Sequence, residues 1–304
     1  MSNRLPRRHF LLGAAATTVL AACSSGSGSG DGPTSADGTD VSLDPNDLSV
    51  VRFFGPYFAA GEMARIPFGL SDSAGLLPTE VLPGNVTLSV KNPDGDVVAE
   101  GLTAVLRTDG LPRPYYAFEF TPASPGFYDF TMDVEGSEVI SQFQIIEPDA
   151  PEIADRVGPG DVMPALVTPT VADPLGVTPL CTREPACTLH DHTVADVVGN
   201  GPMALLVATP AFCQTVICGP VLDVMLDVVA DYPDITFLHA EVYTDPSKNQ
   251  VPPVIEDFAP VVRDLGLPYE PVFYVVGADG VVRDRLDYIF DASDMRSSLD
   301  DAVV

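Results

Sequence analysis

The sequence predicts a two-domain fold: an all-β sandwich over residues 48–148, followed by an α/β domain over residues 149–304. Short segments in which apolar and polar residues alternate with a period of two, separated by Gly and Pro turns, predict the sandwich. Beyond residue 185, apolar strand-like segments alternate with helical patterns, which predicts an α/β domain. The segment Glu147–Pro151 marks the boundary, because it contains two prolines and precedes this change of pattern.

The first 47 residues carry the features of an export and anchoring segment. Arg7 and Arg8 resemble the twin-arginine export motif, and residues 1–22 form a signal peptide whose apolar part is too short to span a bilayer as a helix. Leu20–Cys23 resembles the bacterial lipobox, which implies lipidation of Cys23. Residues 23–47 are rich in Gly and Ser and predict a flexible linker. We therefore expect a lipid-anchored protein on the extracytoplasmic face of a bacterial cell membrane.

Four segments between residues 48 and 148 have the alternation of strands. Gly and Pro turns separate them, and no stretch in the region has a helical period with caps. The run from Thr121 to Phe130 resembles the entry to a late strand of an immunoglobulin-like domain. The region contains no Cys and no His, so we expect a spacer or docking module. The predicted strands are Val86–Val90, Tyr115–Phe120, Tyr128–Val134 and Val139–Ile145.

The second half of the chain reads as strands and helices in alternation. Met203–Ala208 is uniformly apolar, as expected for a strand that is buried on both faces. Apolar residues from Phe258 to Leu265 follow the helical period and stop at Gly266. The remaining predicted elements are a helix at Pro220–Asp231, a strand at Ile235–Tyr243, a hairpin of Val272–Val276 with Val281–Leu286, and a helix at Ser293–Val303.

Charge and cysteine content limit the classes of function that fit this chain. The chain has 43 acidic and 15 basic residues and a formal net charge of -28, which argues against binding to nucleic acid. If Cys23 carries lipid, four of the 5 cysteines remain. An even number of cysteines in an oxidising compartment favours disulfides. Their spacing pairs Cys181 with Cys187 and Cys213 with Cys218.

Residues 160–304 resemble the thioredoxin-like superfamily. Val207–Cys213 is similar to the end of the central strand of that family where it runs into the reactive cysteine. Tyr269–Tyr274 looks like the loop that bears the family's cis-proline, which would be Pro271 here, with Glu270 before it. The resemblance implies thiol–disulfide exchange with the thiols or disulfides of exported proteins, without a cofactor.

The cysteine motif departs from the family pattern. Four residues separate Cys213 from Cys218, where the family usually has two. On a continuous helix the two side chains would point apart, so a disulfide requires a loop, with the helix beginning near Pro220. Cys218–Val221 also resembles the family motif in a second register, so either cysteine is a candidate nucleophile. Cys213 is preferred because it directly follows the strand.

Three other readings of the same residues remain open. In the first alternative, Cys213 and Cys218 form a permanent structural disulfide, and the protein is a non-catalytic lipoprotein. The second is a copper site formed by Cys213, Cys218 and His239, as in Sco-type copper chaperones. A third assigns zinc to Cys181, Cys187, His190 and His192. In an oxidising compartment a Cys181–Cys187 disulfide is favoured over that zinc site, and His239 reads as a buried core residue.

Overall fold

The computed structural model describes residues 47–55, 57–153, 155–213, 217–248 and 253–302. The predicted signal peptide, Cys23 and the linker up to residue 46 lie outside these residues, and so do positions 214–216 between the two cysteines of the second pair. Within the described part, no helix has the length and apolarity needed to cross a membrane.

Nine strands of the first region are hydrogen-bonded into one mostly antiparallel sheet, in the order β1-β3-β7-β6-β5-β8-β9-β2, with β4 paired to β3. β2 and β9 are the parallel pair. The strands are β1 (Ser49–Arg52), β2 (Tyr57–Ala59), β3 (Ala64–Asp72), β4 (Gly75–Leu76), β5 (Asn85–Lys91), β6 (Val97–Arg107), β7 (Tyr115–Phe120), β8 (Gly126–Val134) and β9 (Ser137–Ile146).

Alternating side chains of this sheet form an apolar core. In β5 the buried residues Val86, Leu88 and Val90 alternate with more exposed ones, because successive side chains of a strand point to opposite faces. Phe68 and Phe130 lie at the centre of the core, with ring centroids 5.3 Å apart. The four predicted strands are confirmed by β5, β7, β8 and β9, and the described residues from 47 to 146 are dominated by strands, as predicted.

A separate four-stranded sheet follows, in the order β11-β10-β12-β13. β10 is parallel to β11 and antiparallel to β12, and β12 is antiparallel to β13. All five residues of β10 are buried, as its uniformly apolar sequence predicts. The elements of this region are α1 (Val194–Val197), β10 (Met203–Val207), α2 (Cys218–Val228), β11 (Thr236–Ala240), α3 (Pro260–Asp264), β12 (Val272–Val276), β13 (Val282–Asp287) and α4 (Ala292–Ala302).

The α/β thioredoxin-like fold predicted for residues 149–304 is wrong, and so is the resemblance on which it rested. Strands dominate the described residues, whose four helices have only 4, 11, 5 and 11 residues. The described residues between Ile146 and Val194 form neither helix nor strand. The helical period of residues 258–265 produces only five helical residues. Ala259 precedes a proline and is extended, and Gly266 follows with φ +59°.

Residues of the two regions share buried contacts. Leu111 and Tyr115 of the first region belong to the same buried cluster as Leu222 and Val224 of α2. The Arg65 guanidinium forms a buried ion pair with Asp294 of α4, and Tyr115 Oη donates a hydrogen bond to the same carboxylate. The described residues from 47 onward belong to one compact unit.

Candidate functional site

Cys213 and Cys218 form a disulfide where the loop after β10 meets α2. Their Cα atoms are 6.0 Å apart, within the range that disulfides adopt. Cys218 is the first residue of α2, so the helix begins two residues before Pro220, which occupies its first turn. A proline is tolerated there because the first N–H groups of a helix have no partner within the helix. Cys213 is 8% exposed and Cys218 is fully buried, so Cys213 is the more accessible sulfur.

A carboxyl group lies against the buried sulfur of this disulfide. Glu270 Oε2 is 3.4 Å from Cys218 Sγ and accepts a hydrogen bond of 2.6 Å from the Thr209 backbone N–H. Burial raises the pKa of Glu270 to about 7; the negative charge of Glu241 acts in the same direction, while Thr209 and His239 oppose it. Glu270 precedes Pro271 across a cis peptide bond, and Pro271 is buried at the start of β12.

A second cluster consists of Cys181, Cys187, His190 and His239, which offer ligand atoms that all lie within 4.8 Å of one another. The two Sγ atoms are 3.8 Å apart and are not bonded. His239 Nδ1 lies 3.8 Å from Cys181 Sγ, 3.5 Å from Cys187 Sγ and 3.4 Å from His190 Nε2. Cys187 Sγ is 3.1 Å from His190 Nε2. Both histidines are almost fully buried.

Hydrogen bonds and charges orient this cluster. His239 Nε2 is 3.0 Å from the carbonyl oxygen of Ala208. In the tautomer that carries the proton on Nε2, this nitrogen donates a hydrogen bond to that oxygen, and the lone pair of Nδ1 then faces the two sulfurs. Burial lowers the pKa of His239, but the hydrogen bond with Cys181 and the negative charge of Glu241 outweigh it, so the pKa is raised. The hydrogen bond between the two thiols lowers the pKa of Cys181 and raises that of Cys187.

The two cysteine clusters are joined by a short chain of hydrogen bonds. The Thr182 backbone N–H donates to Glu241 Oε1 at 2.6 Å, and Thr182 Oγ1 accepts from the Ala211 N–H at 3.1 Å. Thr182 follows Cys181 and Ala211 lies two residues before Cys213. The loop of the disulfide and the segment of the second cluster are therefore held directly against each other.

The structure places the predicted site residues in a different grouping from the one expected. The predicted Cys213–Cys218 disulfide is present, with Glu270 against Cys218 Sγ and Pro220 in the first turn of α2. Pro271 follows Glu270 across a cis peptide bond. The predicted Cys181–Cys187 disulfide is not formed. His239 lies with Cys181 and Cys187, so the copper set of Cys213, Cys218 and His239 is split between two clusters. His192 is exposed and lies outside both clusters in the described residues.

Two residues of these clusters were missed as site residues or assigned another place. His239 was expected to be a core histidine, and it is indeed 2% exposed on β11. Glu241, two positions later, was not singled out, although its side chain is equally buried. A histidine in β11 and a glutamate directly after it, within an otherwise mostly apolar segment, are the signal that could have indicated a buried polar site, because such groups require partners.

No family model and no curated protein matches this chain. Among solved structures, a Lin-41 filamin domain is 19% identical and covers 33% of this chain and 91% of its own, with a TM-score of 0.24. A mutant of Salmonella alpha-2-macroglobulin is 21% identical, with 42% and 8% covered and a TM-score of 0.26. Titin Ig tandem domains are 12% identical, with 38% and 48% covered and a TM-score of 0.19. All three TM-scores are below 0.5, so these similarities carry no argument about the fold or the activity of this chain.

Proposed function

We propose that the chain is a thiol–disulfide oxidoreductase that acts on exported proteins through Cys213 and Cys218. The observation that carries this proposal is the arrangement around the disulfide. Cys213 is 8% exposed, Cys218 is 0% exposed at the first residue of α2, and a carboxyl group with a pKa of about 7 lies 3.4 Å from Cys218 Sγ.

The exchange has two steps that run in either direction. In reduction of a substrate, the Cys213 thiolate attacks one sulfur of the substrate disulfide, which breaks and releases the other substrate sulfur as a thiolate. Glu270 then accepts the proton of the Cys218 thiol, and the Cys218 thiolate attacks Cys213 Sγ. The second substrate thiolate leaves and the Cys213–Cys218 disulfide forms. Two electrons pass from the protein dithiol to the substrate.

The surroundings support different roles for the two sulfurs. Cys213 is assigned the attack on substrate because an attacking thiolate must be accessible. The N–H groups of the first turn of α2 favour negative charge on Cys218. Glu270 can accept or return the proton of Cys218 near neutral pH, because general acid–base catalysis works best when the pKa of the group is close to the working pH.

The exposed ring of Phe212 gives this site an apolar neighbour for an incoming polypeptide. Its side chain is 49% exposed and directly precedes Cys213. The compartment is proposed from the N-terminal segment, which would tether the protein by a lipid at Cys23 outside the cytoplasmic membrane, where protein disulfides persist. An exported polypeptide with thiols or disulfides is therefore the proposed substrate.

Insulin disulfide reduction by the full-length chain, with dithiothreitol added to reduce the Cys213–Cys218 disulfide and supply the electrons, tests the proposal, with Cys213→Ser and Cys218→Ser as variants. We expect activity in the unsubstituted protein, and its loss in both variants. A mixed disulfide should be trapped on Cys213 in the Cys218→Ser variant, because the resolving thiol is missing. The reduction potential should lie between about -120 and -270 mV, the range of working couples. A potential below about -300 mV together with no insulin reduction would identify a permanent structural disulfide and reject the proposal.

A further inference from the structure

We propose that Cys181, Cys187, His190 and His239 form a four-coordinate zinc site, distinct from the redox disulfide and independent of its activity. Three of the four residues lie in the segment between β9 and α1, and the fourth is on β11. The inference rests on the positions of their ligand atoms, on the donor chemistry and on the segment that they would hold.

Five of the six separations between the ligand atoms are close to the edges of a zinc tetrahedron, and the sixth, from Cys181 Sγ to His190, is within 4.8 Å. In a tetrahedral site each edge is about 1.63 times the metal–ligand distance, so Zn–S bonds of about 2.3 Å and Zn–N bonds of about 2.0 Å give edges of about 3.3–3.8 Å. The five separations recorded for the cluster are 3.8 Å between the sulfurs, 3.8, 3.5 and 3.1 Å from sulfur to nitrogen, and 3.4 Å between the nitrogens. One central ion can therefore contact all four atoms with little movement of the side chains.

The donor set matches zinc in kind as well as in size. Two thiolates and two imidazoles are among the common ligand sets of closed, structural zinc sites. Two thiolates also neutralise the charge of Zn²⁺, so the buried site carries no net charge, which burial would otherwise penalise. The carbonyl oxygen of Ala208, 3.0 Å from His239 Nε2, supplies the outer hydrogen bond that fixes a ligating histidine with its other nitrogen toward the metal.

The segment that carries three of the ligands lacks regular secondary structure, and a bound metal would stabilise it. Residues 164–193 contain no helix or strand in the described structure, yet Cys181, Thr182 and His190 within them are buried. A structureless loop of this length inside a compact chain is uncommon. A metal that joins the segment to β11 would supply the folding energy that regular secondary structure does not, since zinc sites stabilise the folded state directly.

A zinc ion at this site would also affect the loop that leads to Cys213. Thr182, next to Cys181, accepts a hydrogen bond from Ala211 in the loop that leads to Cys213. Fixing Cys181 through zinc therefore also fixes one side of the disulfide loop. The site is structural in this proposal, because four protein ligands leave no open position for a substrate.

Metal titration of the full-length chain tests the site, with Zn²⁺ and Co²⁺ as the probes. The experiment uses a chain that carries Cys213→Ser and Cys218→Ser, so that the other pair contributes no thiolate. We expect one Zn²⁺ per chain, and with Co²⁺ the intense visible bands of tetrahedral cobalt together with sulfur-to-cobalt charge transfer. In the same background, His239→Ala and His190→Ala should each weaken zinc binding by at least about a hundredfold. Loss of a residue that only hydrogen-bonds a metal ligand costs up to about a hundredfold in affinity, and loss of a ligand itself should cost at least as much.

His192→Ala is the matched control, because His192 lies in the same segment but is exposed and outside the cluster. This variant should bind zinc as tightly as the parent. The proposal is overturned if the parent chain binds no zinc, if Co²⁺ gives the weak spectrum of octahedral coordination, or if His239→Ala and His192→Ala bind equally well. It is also overturned if peptide mapping of the isolated protein finds a Cys181–Cys187 disulfide. The cobalt spectrum of the parent decides the question even if the buried His239 variant fails to fold.

Discussion

The two cysteine pairs of this protein have nearly the same spacing and different surroundings. Cys213 and Cys218 are five positions apart and form a disulfide, whereas Cys181 and Cys187 are six positions apart and remain unbonded. A carboxyl group lies beside the first pair, and two imidazole nitrogens lie beside the second. The comparison teaches that spacing alone does not assign the chemistry of a cysteine pair, because the third group at the site decides it.

The physical difference lies in what each neighbour offers to sulfur. A carboxyl group with a pKa of about 7 can take or return a proton during exchange, which suits a sulfur that alternates between disulfide and thiol. Two neutral imidazoles can each offer a lone pair, and together with two thiolates they complete a metal coordination sphere. Accordingly, we assign electron transfer to the first pair and metal binding to the second.

The largest effect expected is the separation of the two functions by a single substitution. Cys213→Ser should lower insulin reduction by about a hundredfold or more, because the attacking sulfur is lost. The same variant should keep its zinc, because Cys213 is not part of the second cluster. His192→Ala should change neither property. Zinc loss in Cys213→Ser, measured by metal analysis of the purified protein, would show that the two pairs form a single site.

A smaller effect is expected on the pH dependence of the free energy of unfolding, and it comes from Glu270. Its pKa is raised in the folded protein from 4.5 to about 7. The folded state then binds a proton more tightly than the unfolded state, so this contribution to stability is complete below pH 4.5 and is lost as the pH rises through about 7. A shift of this size corresponds to roughly 3 kcal/mol in the free energy of unfolding.

Glu270→Gln should remove that dependence, since glutamine does not titrate. Urea unfolding of the oxidised protein at pH values on either side of this window measures the difference between the two proteins. Glu256→Gln is the control, because it makes the same substitution at an exposed position. If Glu270→Gln has the same pH dependence as the unsubstituted chain, the carboxyl group is not the proton acceptor that the exchange mechanism requires.

The smallest effect concerns the contact between the two sites. Thr182→Val keeps the shape of the side chain but removes the hydroxyl that accepts from the Ala211 N–H. We expect a loss of about 1–2 kcal/mol in the free energy of unfolding, because a backbone donor loses its partner. Thr188→Val, in the same segment but exposed, should change stability by less than about 0.5 kcal/mol. Equal effects of the two substitutions in urea unfolding would mean that the loops are not coupled through Thr182.

Strand positions could be predicted well where the pattern had a period of two. Tyr115–Phe120 forms a strand with the predicted bounds. Val272–Val276 does so too, although its five residues are all apolar and all buried. The predicted helices Pro220–Asp231 and Ser293–Val303 correspond to α2 (Cys218–Val228) and α4 (Ala292–Ala302). The helical period near Phe258 produces a helix of only five residues. The backbone limits set by Pro260 and Gly266 outweigh the apolar spacing that favours a longer helix.

The candidate sites could be predicted only in part. Cys213, Cys218, Glu270 and Pro271 were identified from one stretch of strand and one loop, and the structure brings them together. Of the second cluster, sequence reasoning identified Cys181, Cys187 and His190 as possible zinc ligands but chose His192 as the fourth. His239 is 49 positions from His190, and local spacing cannot indicate a partner so distant in the chain.

Local sequence patterns are sufficient to predict four strands of the first region, the buried strand before Cys213 and the pairing of Cys213 with Cys218. Each of these depends on neighbours in the chain, such as alternation, turn residues and a loop short enough to close. Local patterns do not predict that the second region is dominated by short elements, that it shares a core with the first, or that Cys181 and Cys187 lie beside two histidines. Such contacts follow from how the sheets and loops pack, and packing joins residues that no local pattern relates.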